Sequence, residues 1–217
     1  MPRLPRYLVL LTTIAGALGA QTLIDNEQVR VIKVTDQPHQ RHALHQHPFN
    51  RVMIYLNAGR QEIVTADGKK TILEFRPGEV KWSPASGMHT SEIVSSEPVG
   101  IIEIEIKKPG DPAKTADSPM HPLRVAPRLA TRELENSQVL VYRVKYGPHG
   151  TLPMHEHVLS KVAVNLTPLD ERLTTDAGQV STVKQAAPTA TWGGPVKHRE
   201  ENLGDSPIEA IVVEVKN

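Results

Sequence analysis

Six histidines carry the chemistry that this sequence can do. His45 and His47 stand two apart in "HQHPFNR", and His155 and His157 stand two apart in "HEHVLSK". Residues two apart in an extended strand point to the same face. The two imidazoles of each pair can therefore converge on one metal ion, at about 2.0–2.2 Å from each nitrogen. A third histidine follows each pair about forty residues on, His89 in one case and His198 in the other. Four positions after each pair stands a cation, Arg51 or Lys161. Glu156 lies between two ligand candidates, so strand alternation turns it to the opposite face.

The elements that must position these groups are read from an internal repeat. At a shift of 110, Gln28, Val29, Val31, Val34, Pro38 and His39 meet Gln138, Val139, Val141, Val144, Pro148 and His149, and the two His-x-His pairs coincide. Gly68 meets Gly178, and Trp82 meets Trp192. After one deleted residue, His89, Pro98, Glu105 and Lys107 meet His198, Pro207, Glu214 and Lys216 at a shift of 109. The chain is thus two copies of one unit, over 21–108 and 131–217. Residues 109–130 between them are rich in proline and lack period-two alternation, and they read as a linker or an extended arm. Within each copy the apolar period is two, as in "QVRVIKV", "RVMIYL" and "EAIVVEV". Many short strands with Gly and Pro turns and no long amphipathic helix indicate an all-β sandwich or barrel.

Residues 1–20 have Arg3 and Arg6, then a short apolar run, then small residues. This is the pattern of a secretory signal peptide, with cleavage expected after Gly19 or Ala20. Its removal leaves 23 basic against 24 acidic residues, a formal charge of −1. A chain of that balance has no concentrated basic face for nucleic acid, and no membrane association is expected after cleavage. Cysteine is absent, which excludes disulfides, thiolate catalysis and cysteine-rich zinc sites. The expected location is periplasmic or secreted. No Ser/His/Asp grouping, phosphate loop or dinucleotide fingerprint is present.

The repeated His-x-His with its downstream histidine resembles the cupin superfamily, and the doubling resembles a bicupin. The resemblance implies two tandem cupin-type jelly-roll β-barrels. His45, His47 and Gly59, with Gly78, Pro84 and His89, match the family's two motifs in the first copy, and His155, His157, His198 and Asn202 match in the second. The family's glutamate ligand is replaced by Arg51 and Lys161, and its leading glycine by His39 and His149. The resemblance implies a divalent metal, iron or manganese, in His45, His47 and His89 and in His155, His157 and His198, as in cupin dioxygenases that use three histidines. Arg51 and Lys161 would then meet a small anionic substrate. The catalytic residues stay open. The alternative is a non-catalytic cupin, small-molecule-binding or structural, with degenerate metal sites. His39 and His149 read as turn histidines, His42 and His121 as surface residues, and Trp82 and Trp192 as barrel-core residues.

Overall fold

The structure is a computed structural model, and it describes residues 19–217. The expected signal peptide therefore lies outside the described residues except for Gly19 and Ala20. The first strand starts immediately afterwards, at Gln21.

The first copy forms nine strands: β1 (Gln21–Asp25), β2 (Val29–Asp36), β3 (His45–His47), β4 (Asn50–Tyr55), β5 (Gly59–Thr65), β6 (Lys70–Phe75), β7 (Val80–Ser83), β8 (Ser86–Ile93) and β9 (Val99–Ile106). After one helical turn, α1 (Pro122–Val125), the second copy repeats them. These are β10 (Ala130–Glu135), β11 (Val139–Tyr146), β12 (Thr151–His157), β13 (Lys161–Asn165), β14 (Leu169–Thr175), β15 (Val180–Gln185), β16 (Thr189–Gly193), β17 (Val196–Asn202) and β18 (Ile208–Val215). Each copy makes a five-stranded sheet, β1-β2-β9-β4-β7 or β10-β11-β18-β13-β16, and a four-stranded sheet, β3-β8-β5-β6 or β12-β17-β14-β15. The order is the same in both, so the repeat in sequence is a repeat in topology. The fold is two tandem jelly-roll barrels.

Alternation along these strands serves two different interiors. Val29, Val31, Val52, Ile54, Ile102, Ile104 and Ile106 from the first copy join Val139, Val141, Val162, Val164, Ile211, Val213 and Val215 from the second in one buried cluster. That cluster packs the two five-stranded sheets against each other, between the barrels. The intervening residues point into the lumens. Met53, Tyr55, Val99 and Ile101 fill part of barrel one, and Leu140, Tyr142, Val144 and Val212 fill part of barrel two. Trp82 and Trp192 pack against the shared cluster, so they belong to the contact between barrels and not to the core of either one. Asn50 Nδ2 donates to Gln138 Oε1 at 2.5 Å, and Arg143 donates to the Gly78 carbonyl at 2.5 Å, which adds polar ties across the same boundary.

The segment between the copies is part of barrel two. The Met120 carbonyl accepts from Glu156 N at 2.9 Å. Leu123, Val125, Ala126 and Leu129 pack on the lumen cluster of that barrel. Gly110 passes so close to the Ser137 carbonyl that a Cβ there would lie 1.9 Å from its oxygen. The tight hairpins β5–β6 and β14–β15 turn at Gly68 and Gly178, with φ of 84° and 78°, where a side chain on Cβ is disfavoured.

Candidate metal centres

Both histidine triads assemble. His45 pairs across the ladder with His89, and His155 with His198. Each triad offers three ring nitrogens that all lie within 4.8 Å of one another. The local backbone also fixes which nitrogen is offered. His45 Nδ1 donates to the Ala43 carbonyl at 2.7 Å, His89 Nδ1 to Gly87 at 2.9 Å, and His155 Nδ1 to Pro153 at 2.9 Å. A carbonyl only accepts, so these three rings carry their proton on Nδ1 and turn a bare Nε2 lone pair inward. The sequence carries no direct signal for this device, because each acceptor is a backbone carbonyl two residues earlier.

Barrel two is the more elaborate of the two. His155, His157 and His198 are 0%, 3% and 9% exposed. His157 Nδ1 donates to Glu214 Oε1 at 2.8 Å, and the Tyr142 hydroxyl donates to the same oxygen at 3.1 Å. His121 Nδ1 accepts from Leu123 N, so its Nε2 carries the proton and donates to Glu214 Oε2 at 3.2 Å. Burial alone would raise the Glu214 carboxyl. Hydrogen bonds from His121 and His157 outweigh that and hold it at about 2. His121 is therefore not a surface residue: at 3% exposure it is buried where the linker packs against barrel two. Linker composition hid this, because the partner Glu214 lies ninety-three residues away.

Barrel one lacks that support. Glu105, the counterpart of Glu214, meets Arg30 at 3.9 Å, and Ile32 stands where barrel two has Tyr142. His45 and His47 are partly exposed, and His89 is buried. Burial, and next the Arg51 guanidinium, hold His47 down at about 3.

The two cations differ in how far their charge is met. Arg51 is buried and pairs with Glu103 at 2.9 Å, with Ser83 Oγ at 3.0 Å. Lys161 is buried too, and burial lowers its pKa. Its one hydrogen bond is a long one, 3.4 Å to the Gly194 carbonyl, and among the described residues no carboxylate lies within 4.0 Å of it. His39 and His149 sit in exposed turns with φ of 58° and 54°. They stand where the resembling motif has glycine, and the left-handed backbone there explains that preference. His42 is half-buried and faces Asp36 at 3.1 Å. Glu156 points away from its neighbouring histidines and accepts from Ser118 Oγ at 2.6 Å. Asn202 staples a loop by donating to the Gly147 and Ser206 carbonyls.

Beside the triad of barrel two lies a cavity of about 60 Å³, lined by Tyr146, Lys161, Asn165, Glu171 and Glu200 as well as His155 and His157. That is room for a few water-sized molecules. A larger open hollow of about 330 Å³ over Asp170, Lys184 and Asp205 lies apart from both triads.

The histidines make stability without added metal sensitive to acid. Burial, and next the neighbouring histidines, hold His155 at about 4 and His198 at about 2. In the unfolded chain both protonate near 6.5. Above that pH both states are neutral and these residues contribute no pH dependence. As pH falls from 6.5 toward 4, the unfolded chain takes up protons that the fold refuses. Each ring then costs up to about 1.4 kcal/mol per pH unit. Melting in a chelator between pH 7.5 and 4.5 should show a falling Tm below pH 6.5. The fall should be shallower in His198→Asn.

Fold comparison places these sites in a known architecture. The chain is similar over 92% of its length, and over 98% of the other chain, to AerE from Microcystis aeruginosa, with a TM-score of 0.63 and 14% identity. It is similar over 88% of its length, and 69% of the other chain, to oxalate decarboxylase from Bacillus subtilis, with a TM-score of 0.62 and 14% identity. That enzyme is described with Mn(II) centres. A cupin 2 conserved barrel domain protein from Leptotrichia buccalis matches over 95% of this chain and 93% of its own, with a TM-score of 0.54 and 14% identity. No family model and no curated protein matches the sequence. The chain has the tandem-barrel fold of a bicupin. Its particular chemistry rests on its own residues.

Proposed function

We propose that the protein is an exported bicupin that holds a divalent metal ion, at least in barrel two, and works as a metal-dependent dioxygenase on a small anionic substrate. One observation carries the metal reading. His155 Nε2 and His157 Nε2 lie 3.1 Å apart. Both rings have committed Nδ1–H elsewhere, so two lone pairs face each other in a buried site. A shared cation relieves that repulsion. A proton is a poor candidate, since burial keeps His155 neutral above about pH 4. Two nitrogens each about 2.1 Å from one ion lie about 3.0–3.4 Å apart, which fits the spacing. In addition, His198 Nε2 is buried without a hydrogen-bond partner.

A metal bound to three neutral imidazoles would supply Lewis acidity and, as iron or manganese, redox chemistry with open positions. Export is supported by the leader pattern in residues 1–20. Lys161 supplies the unmatched cation that would orient an anionic substrate. The same role for Arg51 in barrel one needs the substrate to displace Glu103 from the guanidinium. The small cavity limits the substrate to a few heavy atoms beside the ion.

The experiment is metal analysis of the purified mature chain before and after reconstitution with Fe(II) or Mn(II). Oxygen uptake with small carboxylates and enolisable diketones is then recorded. The expected result is at least one equivalent per chain, lost in part in His155→Ala. Less than about 0.1 equivalent after reconstitution would sink the metal reading. Metal binding without oxygen uptake would favour the binding-protein alternative.

A further inference from the structure

The carboxylate missing from position 161 has a replacement elsewhere in barrel two. We infer that Glu200, on β17, is the anionic metal ligand of barrel two, so that the two barrels carry unlike sites: three histidines in barrel one, three histidines and a carboxylate in barrel two. The inference rests on the metal reading above.

Glu200 stands two residues after His198 and on the same face of its strand. Its Oε1 lies 3.4 Å from His198 Nε2 and 3.8 Å from His155 Nε2. Donor atoms that share one ion at about 2.0–2.2 Å lie between about 3.0 Å and about 4.3 Å from each other. Both distances fall in that interval. His198 Nε2 is the buried atom that has no hydrogen-bond partner, and Glu200 is the carboxylate beside it. In the structure Oε1 approaches from the His155–His198 side, and only the three histidines lie within 4.8 Å of one another. Ligation would bring Oε1 closer to His157 Nε2 than it stands here.

The surroundings of Glu200 suit a ligand more than a solvated surface group. Its side chain is 19% exposed. Its second oxygen accepts from the Tyr146 hydroxyl at 3.2 Å, and that hydroxyl also bonds Glu171. Oxygen Oε2 is thus tethered while Oε1 is aimed at the histidines. Hydrogen-bonded carboxylates of this kind keep their orientation as ligands. The opposing cation agrees with this arrangement. Lys161 occupies the place of the usual glutamate and leaves the metal position to be neutralised from another strand.

Barrel one has no equivalent. Glu200 meets Ser91 at the shift of 109 that aligns His89 with His198, and Glu171 meets Gln61 at the shift of 110 that holds before the deleted residue. Tyr146 meets Asp36, which faces His42. The carboxylate, its tether and its neighbour all belong to barrel two alone. An anionic oxygen favours hard cations such as Mn(II) over a site of imidazoles alone.

The test uses the mature chain with barrel one silenced by His45→Ala and His47→Ala, so that one site remains. Binding of Mn(II) is followed by electron paramagnetic resonance and calorimetry, and Co(II) is followed by its absorption spectrum. Glu200→Gln keeps the shape and removes the charge. The expected result is Mn(II) affinity at least ten-fold weaker, with a shifted Co(II) band. Unchanged affinity and spectrum in Glu200→Gln would overturn the inference and leave a three-histidine site. If the parent with the silenced barrel binds neither metal, the metal reading itself fails, and this inference with it. Should Glu200→Gln not fold by circular dichroism, Glu200→Asp replaces it, withdrawing the oxygen by one methylene. The same ten-fold loss supports the inference, and unchanged affinity overturns it.

Discussion

Replacing Glu214 by alanine is expected to destabilise the protein by about 3–5 kcal/mol and to weaken metal binding in barrel two by about 10–100-fold. Glu214 is fully buried, and it accepts from His121, His157 and the Tyr142 hydroxyl. Removing it leaves three donors without an acceptor in a place that water reaches poorly, and each orphan costs about 1–3 kcal/mol. Some of that is recovered by rearrangement, hence the range. The effect on metal follows from His157, whose ring would lose the bond that orients it. The repeat supplies the control. Glu105 occupies the matched position in barrel one, but its one charged contact is Arg30 at 3.9 Å. Glu105→Ala should cost less than about 1 kcal/mol and leave metal binding in both barrels unchanged. Chemical denaturation of the two variants side by side measures the difference. Equal losses would show that Glu214 is not the special member of the pair.

The second large effect lies between the barrels. Ile104→Ala should cost about 2–5 kcal/mol, since the side chain is fully buried in the shared cluster and the opposing sheet cannot collapse to fill the space. Ile104→Asp should prevent folding of both barrels, because a carboxylate there meets only apolar neighbours from both copies. The physical point is cooperativity. Each five-stranded sheet covers the apolar face of the other, so neither barrel buries that face alone. Differential scanning calorimetry of the intact chain should give one transition, and the Ile104→Ala transition should move as a whole. Two separate transitions, with only the first moved by Ile104→Ala, would contradict a shared core.

The sites show where reading the residues succeeded and where it stopped. His45, His47, His89, His155, His157 and His198 were legible because a period of two and a repeat of 110 are properties of the chain itself. The turns at Gly68 and Gly178 were legible for the same reason. His121 was not, because its acceptor is far away in sequence and its surroundings are set by how the linker folds over barrel two. Glu200 was not singled out either. It sits inside "HREEN", where one glutamate faces in and the next faces out, and nothing local marks the first as special.

Strand alternation by itself splits "VGIIEIEI" into two unlike faces, one of Gly100, Ile102, Ile104 and Ile106 and one of Val99, Ile101, Glu103 and Glu105. It did not establish which face looks into the barrel. The ordinary expectation puts the isoleucines inside. Tertiary structure decided otherwise: Ile102, Ile104 and Ile106 face the other barrel, and Glu103 turns into the lumen to meet Arg51. The reason is the doubling. A second barrel supplies an apolar surface large enough to bury the outer face of the sheet, which frees the lumen for histidines, carboxylates and cations. The sequence alone determined the two-fold repeat, the all-β barrels and the histidine triads. Only the packing of one copy on the other determined that the lumens hold the histidines and cations beside their smaller apolar clusters, and that the triad of barrel two is backed by Glu214 and flanked by Glu200.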